Sequence, residues 1–279
     1  MLKLIDGKQL AQKRREEIKQ TVEQLKAKGI VPGLAVILVG EDPASQVYVR
    51  NKEKACQEVG FYSEVYRLPE QTSQAELLQL IDRLNGDANI HGLLVQLPVP
   101  EHIDEQAVIC AISPKKDVDG FLPENLGSLL IGQPAFEPCT PKGCIDLIKQ
   151  TGIQIAGKKA VVVGRSNIVG KPVAMMLLRE NATVTVCHSK TQNLRDELLT
   201  ADIVVVAIGK SNFITGDMIK DGAVVIDVGM NRLENGKLTG DVDRASLEGR
   251  DCWLTPVPGG VGPMTITMLM KNTLESALR

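Results

Sequence analysis

A tyrosine and a lysine stand four residues apart, at Tyr48 and Lys52, in a stretch with helical spacing. Residues at this separation lie on the same face of a helix, one turn apart. Tyrosine is scarce here, with only three in 279 residues. The spacing raises the question of what would require an aromatic face and a primary amine together. The simpler alternative is a surface lysine whose methylene stem packs along the helix.

Two more polar side chains are predicted to reach the edge of the same sheet. Apolar strands end at Gly40 and Gln96, and the loops that follow parallel strands gather on one rim. The turn "DVDG", which carries Asp117 and Asp119, could lie on that rim as well. Each residue also has a purely structural interpretation: Gln96 as a partner of its own loop backbone, and Asp119 as a turn former. Taken singly, none of these residues predicts a function.

A nucleotide site is predicted in the second half, where "VVVGRSNIVGKP" (161–172) has the pattern strand, tight turn, helix start. Gly164 would let the chain turn off the strand, and Gly170 would let the helix N-terminus approach a pyrophosphate. The glycines are spaced more widely than in the usual dinucleotide fingerprint. A tight turn that binds no ligand therefore stays open as an alternative.

The end of the following strand bears on the choice of nucleotide. NAD-specific sites carry an acidic residue there for the ribose hydroxyls. This chain has His188, Ser189 and Lys190 instead, with Arg165 in the preceding turn. A neutral-to-basic pocket favours a 2′-phosphate, so NADP is predicted as the cofactor. For Lys190 by itself, a solvated surface charge is favoured over a direct contact with the cofactor.

Composition bounds the class of protein. A chain of 279 residues exceeds what one hydrophobic core usually serves, so two domains are expected. The net charge of −2 gives no reason to expect nucleic acid as a partner, and no apolar run approaches the roughly 20 residues of a membrane helix. Six cysteines without paired spacing read as reduced thiols, and three histidines without ligand spacing predict no metal site. We expect a cytoplasmic protein.

Helices and strands alternate along the chain, which predicts an α/β fold with parallel sheets. Strands are predicted at 33–40, 62–68, 90–98, 159–164, 182–189, 202–209 and 223–229. Helices are predicted at about 7–28, 43–60, 75–85, 104–112, 171–180 and 193–201, with another after the glycine-rich turn that begins at 258. A proline- and glycine-rich stretch at 113–143, with a short helix at "ENLGSLL", is predicted to be the crossing between domains.

Eight motifs, in order along nearly the whole chain, resemble those of the bifunctional methylenetetrahydrofolate dehydrogenase/methenyltetrahydrofolate cyclohydrolase family. They are "ASQVYVRNK", "GLLVQLPVP", "PKKDVDGF", "CTPKG", "VVVGRSNIVGKP", "CHSKT", "IDVGMNR" and "TPVPGGVGPMT". The resemblance implies two domains flanking a cleft, the second a Rossmann-type doubly wound parallel sheet. It implies a folate-binding catalytic domain at 1–120, completed by the helix 262–279, and an NADP-binding domain at 121–261.

The resemblance also assigns roles to residues. The implied catalytic residues are Tyr48, Lys52, Gln96 and Asp119, with Tyr48 stacking on the folate and Asp119 holding the pterin. The implied substrate-binding residues are Tyr48, Lys52, Gln96, Leu97, Pro98, Asp119, Pro258, Gly259 and Gly260. The implied NADP-binding residues are Gly164, Arg165, Ser166, Ile168, Val169, Gly170, His188, Ser189, Ala207, Gly209, Met230 and Thr265. Met230 replaces an expected isoleucine or valine, a change that a backbone contact would survive.

The implied activity is oxidation of 5,10-methylenetetrahydrofolate followed by hydrolysis of the methenyl product to 10-formyltetrahydrofolate. Such an enzyme acts in one-carbon metabolism and purine biosynthesis, and the family suggests a homodimer. Two alternatives remain open from the sequence. One is a shikimate- or amino-acid-type NADP dehydrogenase, which would give no reason for Tyr48 or the "QLPVP" strand end. The other is an NADP-binding sensor that has lost catalysis, against which Lys52, Gln96 and Asp119 together argue.

Overall fold

The computed structural model describes residues 1–279. Its strands are β1 (Lys3–Leu4), β2 (Gly33–Val39), β3 (Tyr62–Leu68), β4 (Gly92–Val95), β5 (Lys159–Val163), β6 (Thr183–Cys187), β7 (Ile203–Val206), β8 (Val224–Asp227), β9 (Asn231–Arg232), β10 (Leu238–Thr239) and β11 (Trp253–Leu254). Its helices are α1 (Gly7–Lys26), α2 (Pro43–Val59), α3 (Gln74–Gly86), α4 (Glu105–Ala111), α5 (Pro123–Leu130), α6 (Cys139–Gln150), α7 (Gly170–Arg179), α8 (Leu194–Leu199) and α9 (Val261–Ala277). All the predicted helices and long strands are confirmed.

The chain forms two compact units. The three-stranded unit comprises residues 12–139 and 266–279, and the six-stranded unit comprises residues 1–11 and 140–265. The short strand β1 pairs in parallel with β11, which places the first residues of the chain in the six-stranded unit. The predicted domain boundaries, at 120 and 261, differ from the bounds of these two units. The assignment of one domain to folate and the other to NADP stays a prediction.

The three-stranded unit is built on a parallel sheet in the order β3-β2-β4. All seven residues of β2 are buried, because helices cover both faces of a central parallel strand. On one face, alternate residues of β2 and β4 pack with apolar side chains of α3 and α4. Helix α2 packs on β2 and β3. The sheet therefore brings the carboxyl ends of β2 and β4 to one edge.

The six-stranded unit has a parallel sheet in the order β1-β11-β8-β7-β5-β6. The chain leaves β5 for β6 on one side and then crosses to β7 on the other, so the winding reverses at β5. In doubly wound sheets this reversal marks the ligand crevice. Val163 is level with Cys187 and with Val206, so β5, β6 and β7 end at the same height. The Rossmann-type prediction is confirmed.

Helix α6, the hairpin of β9 and β10, and the short strands β1 and β11 were not predicted. Helix α6 lies within and beyond the stretch interpreted as a crossing, where Pro141 and Gly143 argued against a helix. A proline in the first helical turn is compatible with helix formation because its missing N–H would be unpaired there anyway. Strands β1 and β11 have only two residues each, too few for a periodic pattern. No helix of the chain has the length and apolar character required to span a membrane.

Candidate active site

Helix α2 carries the tyrosine–lysine pair. The Asp42 carboxylate caps it by accepting a hydrogen bond from the Ser45 backbone N–H at 2.7 Å, Pro43 sits in the first turn, and Gly60 ends it with a φ of 79°. One stripe of the helix is buried: Ser45, Val49, Lys52, Ala55, Cys56 and Val59. Lys52 thus occupies a position in the packing stripe, where an apolar side chain would be expected.

Lys52 reaches from this stripe to the end of β4. Only 9% of Lys52 is exposed, and its Nζ donates a hydrogen bond to the Gln96 side-chain oxygen Oε1 at 3.0 Å. The Gln96 amide Nε2 donates in turn to the backbone oxygen of Leu97 at 2.8 Å. Gln96 therefore bonds its own loop and the lysine at once. The loop thus holds the Gln96 amide in place, and the Gln96 amide holds the Lys52 amine in place.

Tyr48 lies one turn before Lys52 and is half-buried. Burial raises the pKa of its phenol above the ordinary value, so the hydroxyl stays neutral at physiological pH. The aromatic ring is thus an uncharged surface next to a buried amine. Leu97 and Pro98, predicted to contact the substrate, follow Gln96 directly and are joined by a cis peptide bond.

The turn after Lys116 is organised by Asp117 rather than by Asp119. The Asp117 carboxylate, 2% exposed, accepts hydrogen bonds from three backbone N–H groups, those of Gly120, Phe121 and Leu122, at 3.1, 3.2 and 2.9 Å. It also accepts one from the Asn125 side chain at 2.7 Å. Burial raises the pKa of the Asp117 carboxyl, while these hydrogen bonds act against that rise.

Asp119 is left half-buried, and its carboxylate accepts none of the hydrogen bonds that form this turn. The preceding residue is held from a different direction: the fully buried Asn272 donates its side-chain N–H to the backbone oxygen of Val118 at 2.8 Å. Gly120, with a φ of 73°, follows. The backbone is thus fixed on both sides of Asp119, while its carboxylate remains available for a ligand.

The turn that carries Asp119 lies beside β4. The Leu93 backbone N–H donates to the Lys116 oxygen at 2.9 Å, and Leu93 and Asp117 form a parallel bridge. Asp119 follows this bridge by two residues, and Gln96 directly follows β4. The predicted folate side chains Tyr48, Lys52, Gln96 and Asp119 all belong to the three-stranded unit.

The predicted nucleotide turn lies at the winding reversal of the six-stranded unit. Gly164 has a φ of 127°, and a Cβ there would lie 2.3 Å from the Ala207 oxygen. A Cβ on Gly170 would lie 2.3 Å from the Gly164 oxygen. Only glycine fits at either position, because the strand end, the next strand and the helix start approach so closely. This cradle fits a pyrophosphate.

The side chains predicted to surround the cradle, those of Arg165, Ser166, His188 and Ser189, include no carboxylate. The Ser166 hydroxyl accepts the backbone N–H groups of Val169 and Gly170 at 3.2 and 3.3 Å, which shapes the turn. Arg165 and Ser189 are exposed. The ring nitrogen Nδ1 of His188 accepts the Lys190 backbone N–H at 3.1 Å. A dianionic phosphate would meet a guanidinium and a hydroxyl here rather than a carboxylate.

The remaining predicted positions also lie in the six-stranded unit. Ile168 and Met230 are 45% exposed, and Ala207 and Gly209 follow β7. The Thr265 hydroxyl lies 2.9 Å from that of Thr140. The substrate-assigned turn at Pro258, Gly259 and Gly260 packs against the start of α1: a Cβ on Gly7 would lie 1.9 Å from the Gly260 oxygen. No group of three or more potential metal-ligating side chains is present.

Sequence reasoning missed three side chains that shape these sites, namely Asp117, Asn272 and Asp241. Asp117 was named only as a neighbour of Asp119, and Asn272 was hidden inside a helix. Asp241 stands in a glycine-flanked loop, "TGDVD", that received no interpretation. The motif "DVD" occurs twice, at 117–119 and 241–243, with the first aspartate buried both times. That repetition was the available clue.

Two family models match the chain: the tetrahydrofolate dehydrogenase/cyclohydrolase catalytic domain over residues 5–119, and the NAD(P)-binding domain of the same family over residues 138–279. The chain is 65% identical over 276 residues to the bifunctional protein FolD of Moorella thermoacetica, covering 99% of both chains.

Solved structures agree with these matches. The bifunctional FolD enzyme from Campylobacter jejuni is 52% identical and superposes with a TM-score of 0.97, covering 100% of this chain and 99% of that one. The Trypanosoma brucei methylenetetrahydrofolate dehydrogenase-cyclohydrolase, solved with NADP and an inhibitor, is 41% identical with a TM-score of 0.94, covering 99% of this chain and 97% of that one.

Proposed function

The chain belongs to the tetrahydrofolate dehydrogenase/cyclohydrolase family, and we infer that it catalyses both reactions of that family. It oxidises 5,10-methylenetetrahydrofolate to the 5,10-methenyl compound with NADP and hydrolyses the product to 10-formyltetrahydrofolate. It is thus an oxidoreductase and a hydrolase of one-carbon metabolism. The shikimate-type alternative is not favoured, because family models match both halves of the chain.

One observation carries the assignment of chemistry to residues: the buried amine of Lys52 bonded to the Gln96 amide. A methenyl cation is attacked by water, and that attack needs a group to move protons. Lys52 is the amine placed for this, and its hydrogen-bond partner is a neutral amide rather than a carboxylate. Gln96 holds the Lys52 amine in one direction. The other hydrogen-bonding positions of the amine stay free for substrate or water.

Binding of the folate follows from the other two side chains. The Tyr48 ring offers an uncharged face on which a flat aromatic group stacks. The Asp119 carboxylate accepts hydrogen bonds from the donor-rich amino-pyrimidine edge of the pterin. Leu97, Pro98 and the turn Pro258–Gly260 are further proposed folate contacts. These contacts together would orient the one-carbon bridge of the folate toward Lys52.

NADP, when bound, supplies the acceptor for the hydride that leaves the methylene bridge. The cradle of Gly164 and Gly170 would hold its pyrophosphate, since a Cβ at either position would clash. Arg165 and Ser189 would bind the 2′-phosphate, with Ser166, Ile168, Val169 and His188 around them. Further proposed contacts come from Ala207, Gly209, Met230 and Thr265.

We also propose that the protein is a cytoplasmic homodimer whose product serves purine biosynthesis and that it binds no nucleic acid. The family resemblance supports the dimer, and a net charge of −2 is consistent with the absence of a nucleic-acid partner. Light scattering coupled to size exclusion tests the dimer. A monomer at micromolar concentration would contradict it.

The activity is tested with purified protein, 5,10-methylenetetrahydrofolate and NADP. We expect reduced cofactor to form together with a transient absorbance of the methenyl compound, which then decays faster than in protein-free buffer. Shikimate in place of the folate is the control for the rival dehydrogenase. Reduced cofactor without any methenyl absorbance, or formed only with shikimate, would contradict the assignment.

A further inference from the structure

The loops after β7 and β8 share one buried acidic side chain, that of Asp241. The first loop contains Ala207 and Gly209, and the second contains Met230. All three residues were assigned to the cofactor site, whereas Asp241 was assigned to nothing. Asp241 lies further along the chain, just after the hairpin of β9 and β10.

The Asp241 carboxylate gathers three successive backbone N–H groups of the β7 loop. Its Oδ2 accepts from Ile208 at 2.7 Å and from Gly209 at 3.0 Å, and its Oδ1 accepts from Lys210 at 2.8 Å. Successive backbone N–H groups that converge in this way form a concavity that binds an anion. The conformation of the β7 loop is therefore matched to this carboxylate.

The same carboxylate binds the β8 loop. Its Oδ1 accepts a hydrogen bond from the side-chain amide of Asn231 at 2.9 Å, next to Met230. A Cβ on Gly229 would lie 2.3 Å from Oδ1, so the backbone of this loop passes directly over the carboxylate. Asp241 therefore links the two loops to each other.

Burial makes these bonds costly to lose. Asp241 is fully buried, so its side-chain oxygens depend on the four N–H donors for hydrogen bonds. A second buried carboxylate, that of Asp227 at the end of β8, holds the backbone at Asp241 and Val242. It accepts the backbone N–H groups of Asp241 and Val242, both at 2.9 Å.

We propose that Asp241 is a positioning residue for the dehydrogenase reaction, which sets the shape of both cofactor loops without touching the reacting atoms. The inference rests on the proposed function, because the roles of Ala207, Gly209 and Met230 come from it. NADP binding and hydride transfer should depend on Asp241. Hydrolysis of the methenyl compound should not, because that step needs no hydride acceptor.

The chain offers a matched control two residues away. Asp243 belongs to the same "GDVD" segment, but its carboxylate accepts only the nearby Ala245 backbone N–H, at 3.1 Å. Asp243→Asn makes the same chemical change at a carboxylate that accepts no hydrogen bond from either cofactor loop. Asp241→Asn preserves the size of the side chain but turns an NH₂ group toward N–H donors.

The experiment measures three quantities on the full-length enzyme and on both variants: the Kd of NADP, the dehydrogenase kcat/KM, and the cyclohydrolase rate without cofactor. For Asp241→Asn we expect the Kd to rise and the dehydrogenase kcat/KM to fall by about tenfold or more, with a cyclohydrolase rate within about twofold of the parent. Asp243→Asn should match the parent throughout. Equal NADP affinity in all three proteins would overturn the inference.

Failure of the proposed function would look different, since the parent itself would not bind NADP. If Asp241→Asn does not fold, Asn231→Ala decides the question, because it removes only one of the four donors. It should weaken NADP binding by about threefold or more and leave the cyclohydrolase rate unchanged. Unchanged NADP affinity in that variant would overturn the inference equally.

Discussion

The side-chain nitrogen Nζ of Lys52 lies 3.0 Å from the amide oxygen of Gln96 and joins the packing stripe of α2 to the end of β4. A lysine in such a stripe gives up hydration that an exposed lysine keeps. The fold tolerates it because Gln96 supplies an acceptor, and Gln96 is itself held by the Leu97 oxygen. This arrangement sacrifices packing for a fixed amine, which is typical of a functional site.

Lys52→Met should lower the cyclohydrolase rate by about 100-fold to 10,000-fold, because the amine that transfers protons is lost. Methionine has a similar shape and suits the apolar stripe, so the melting temperature should not fall. NADP should bind normally, since its proposed contacts lie in the six-stranded unit. Methenyl decay, NADP titration and thermal melting measure the three effects.

The control for that variant is Lys54→Met, since Lys54 is exposed on the same helix. It changes the charge of α2 equally without touching Gln96. Lys54→Met should retain the parental rates. Hydrolysis at the parental rate in Lys52→Met would remove Lys52 from the mechanism.

Cofactor preference should depend on Arg165 and Ser189. Replacing both by alanine should weaken NADP by about tenfold to a hundredfold and NAD far less, because only NADP carries the phosphate that they would bind. The measurement is the ratio of kcat/KM for the two cofactors. Lys190→Ala, on a neighbouring exposed side chain, is the control. An equal loss for both cofactors would mean that Arg165 and Ser189 support the turn instead.

Asp227 should make stability depend on pH. Burial raises the pKa of its carboxyl from an ordinary 3.8 to about 6. Between these values the folded state binds more protons than the unfolded one, so stability decreases as pH rises from about 4 to about 6. The loss for this group alone should be on the order of 3 kcal/mol.

The comparison for Asp227 is its asparagine variant, which cannot titrate. The free energy of unfolding is measured by denaturant titration at several pH values between 4 and 7 for both proteins. We expect the difference between parent and variant to change over this window and to be constant above it. A constant difference throughout would show that Asp227 is already ionised at pH 4.

The sequence predicts most elements of this fold because its local patterns are strong. The run at 33–39 is apolar at every position, as a strand covered on both faces requires. Asp6 precedes the first helix, where an aspartate is a favoured cap, and its carboxylate accepts the Gln9 backbone N–H at 3.0 Å. Gly60, the last residue of the helix predicted at 43–60, ends α2 in the left-handed conformation. Local propensity and tertiary structure agree at these positions.

Long-range contacts set the limit of prediction. Spacing alone cannot tell which aspartate of "DVDG" turns inward, because that depends on the N–H groups of residues 120–122 and on Asn125. The pairing of β1 with β11 joins residues 250 positions apart and leaves no local pattern. The role of Asp241 also leaves no local pattern, because its hydrogen-bond donors come from two loops earlier in the chain. The folate itself entered through family resemblance, not through any periodicity.

Asp119 permits the sharpest test, because Asp117 is its matched control. Both are aspartates of one turn, but only the Asp117 carboxylate accepts the hydrogen bonds that form it. Asp119→Asn should leave the melting temperature unchanged and weaken folate binding by about 1.5–3 kcal/mol, because the pterin edge loses a charged acceptor. Asp117→Asn should lower the melting temperature instead, since an NH₂ group would face backbone N–H donors.

Folate affinity and melting temperature, measured on both variants, distinguish a ligand-binding role of Asp119 from a turn-forming role. A ligand role for Asp119 requires that its variant lose affinity without losing stability. Asp117→Asn should lose stability by about 1–3 kcal/mol, and affinity only insofar as the turn moves. If Asp119→Asn instead melts early and binds folate normally once folded, then Asp119 is a turn residue and the pterin is held elsewhere.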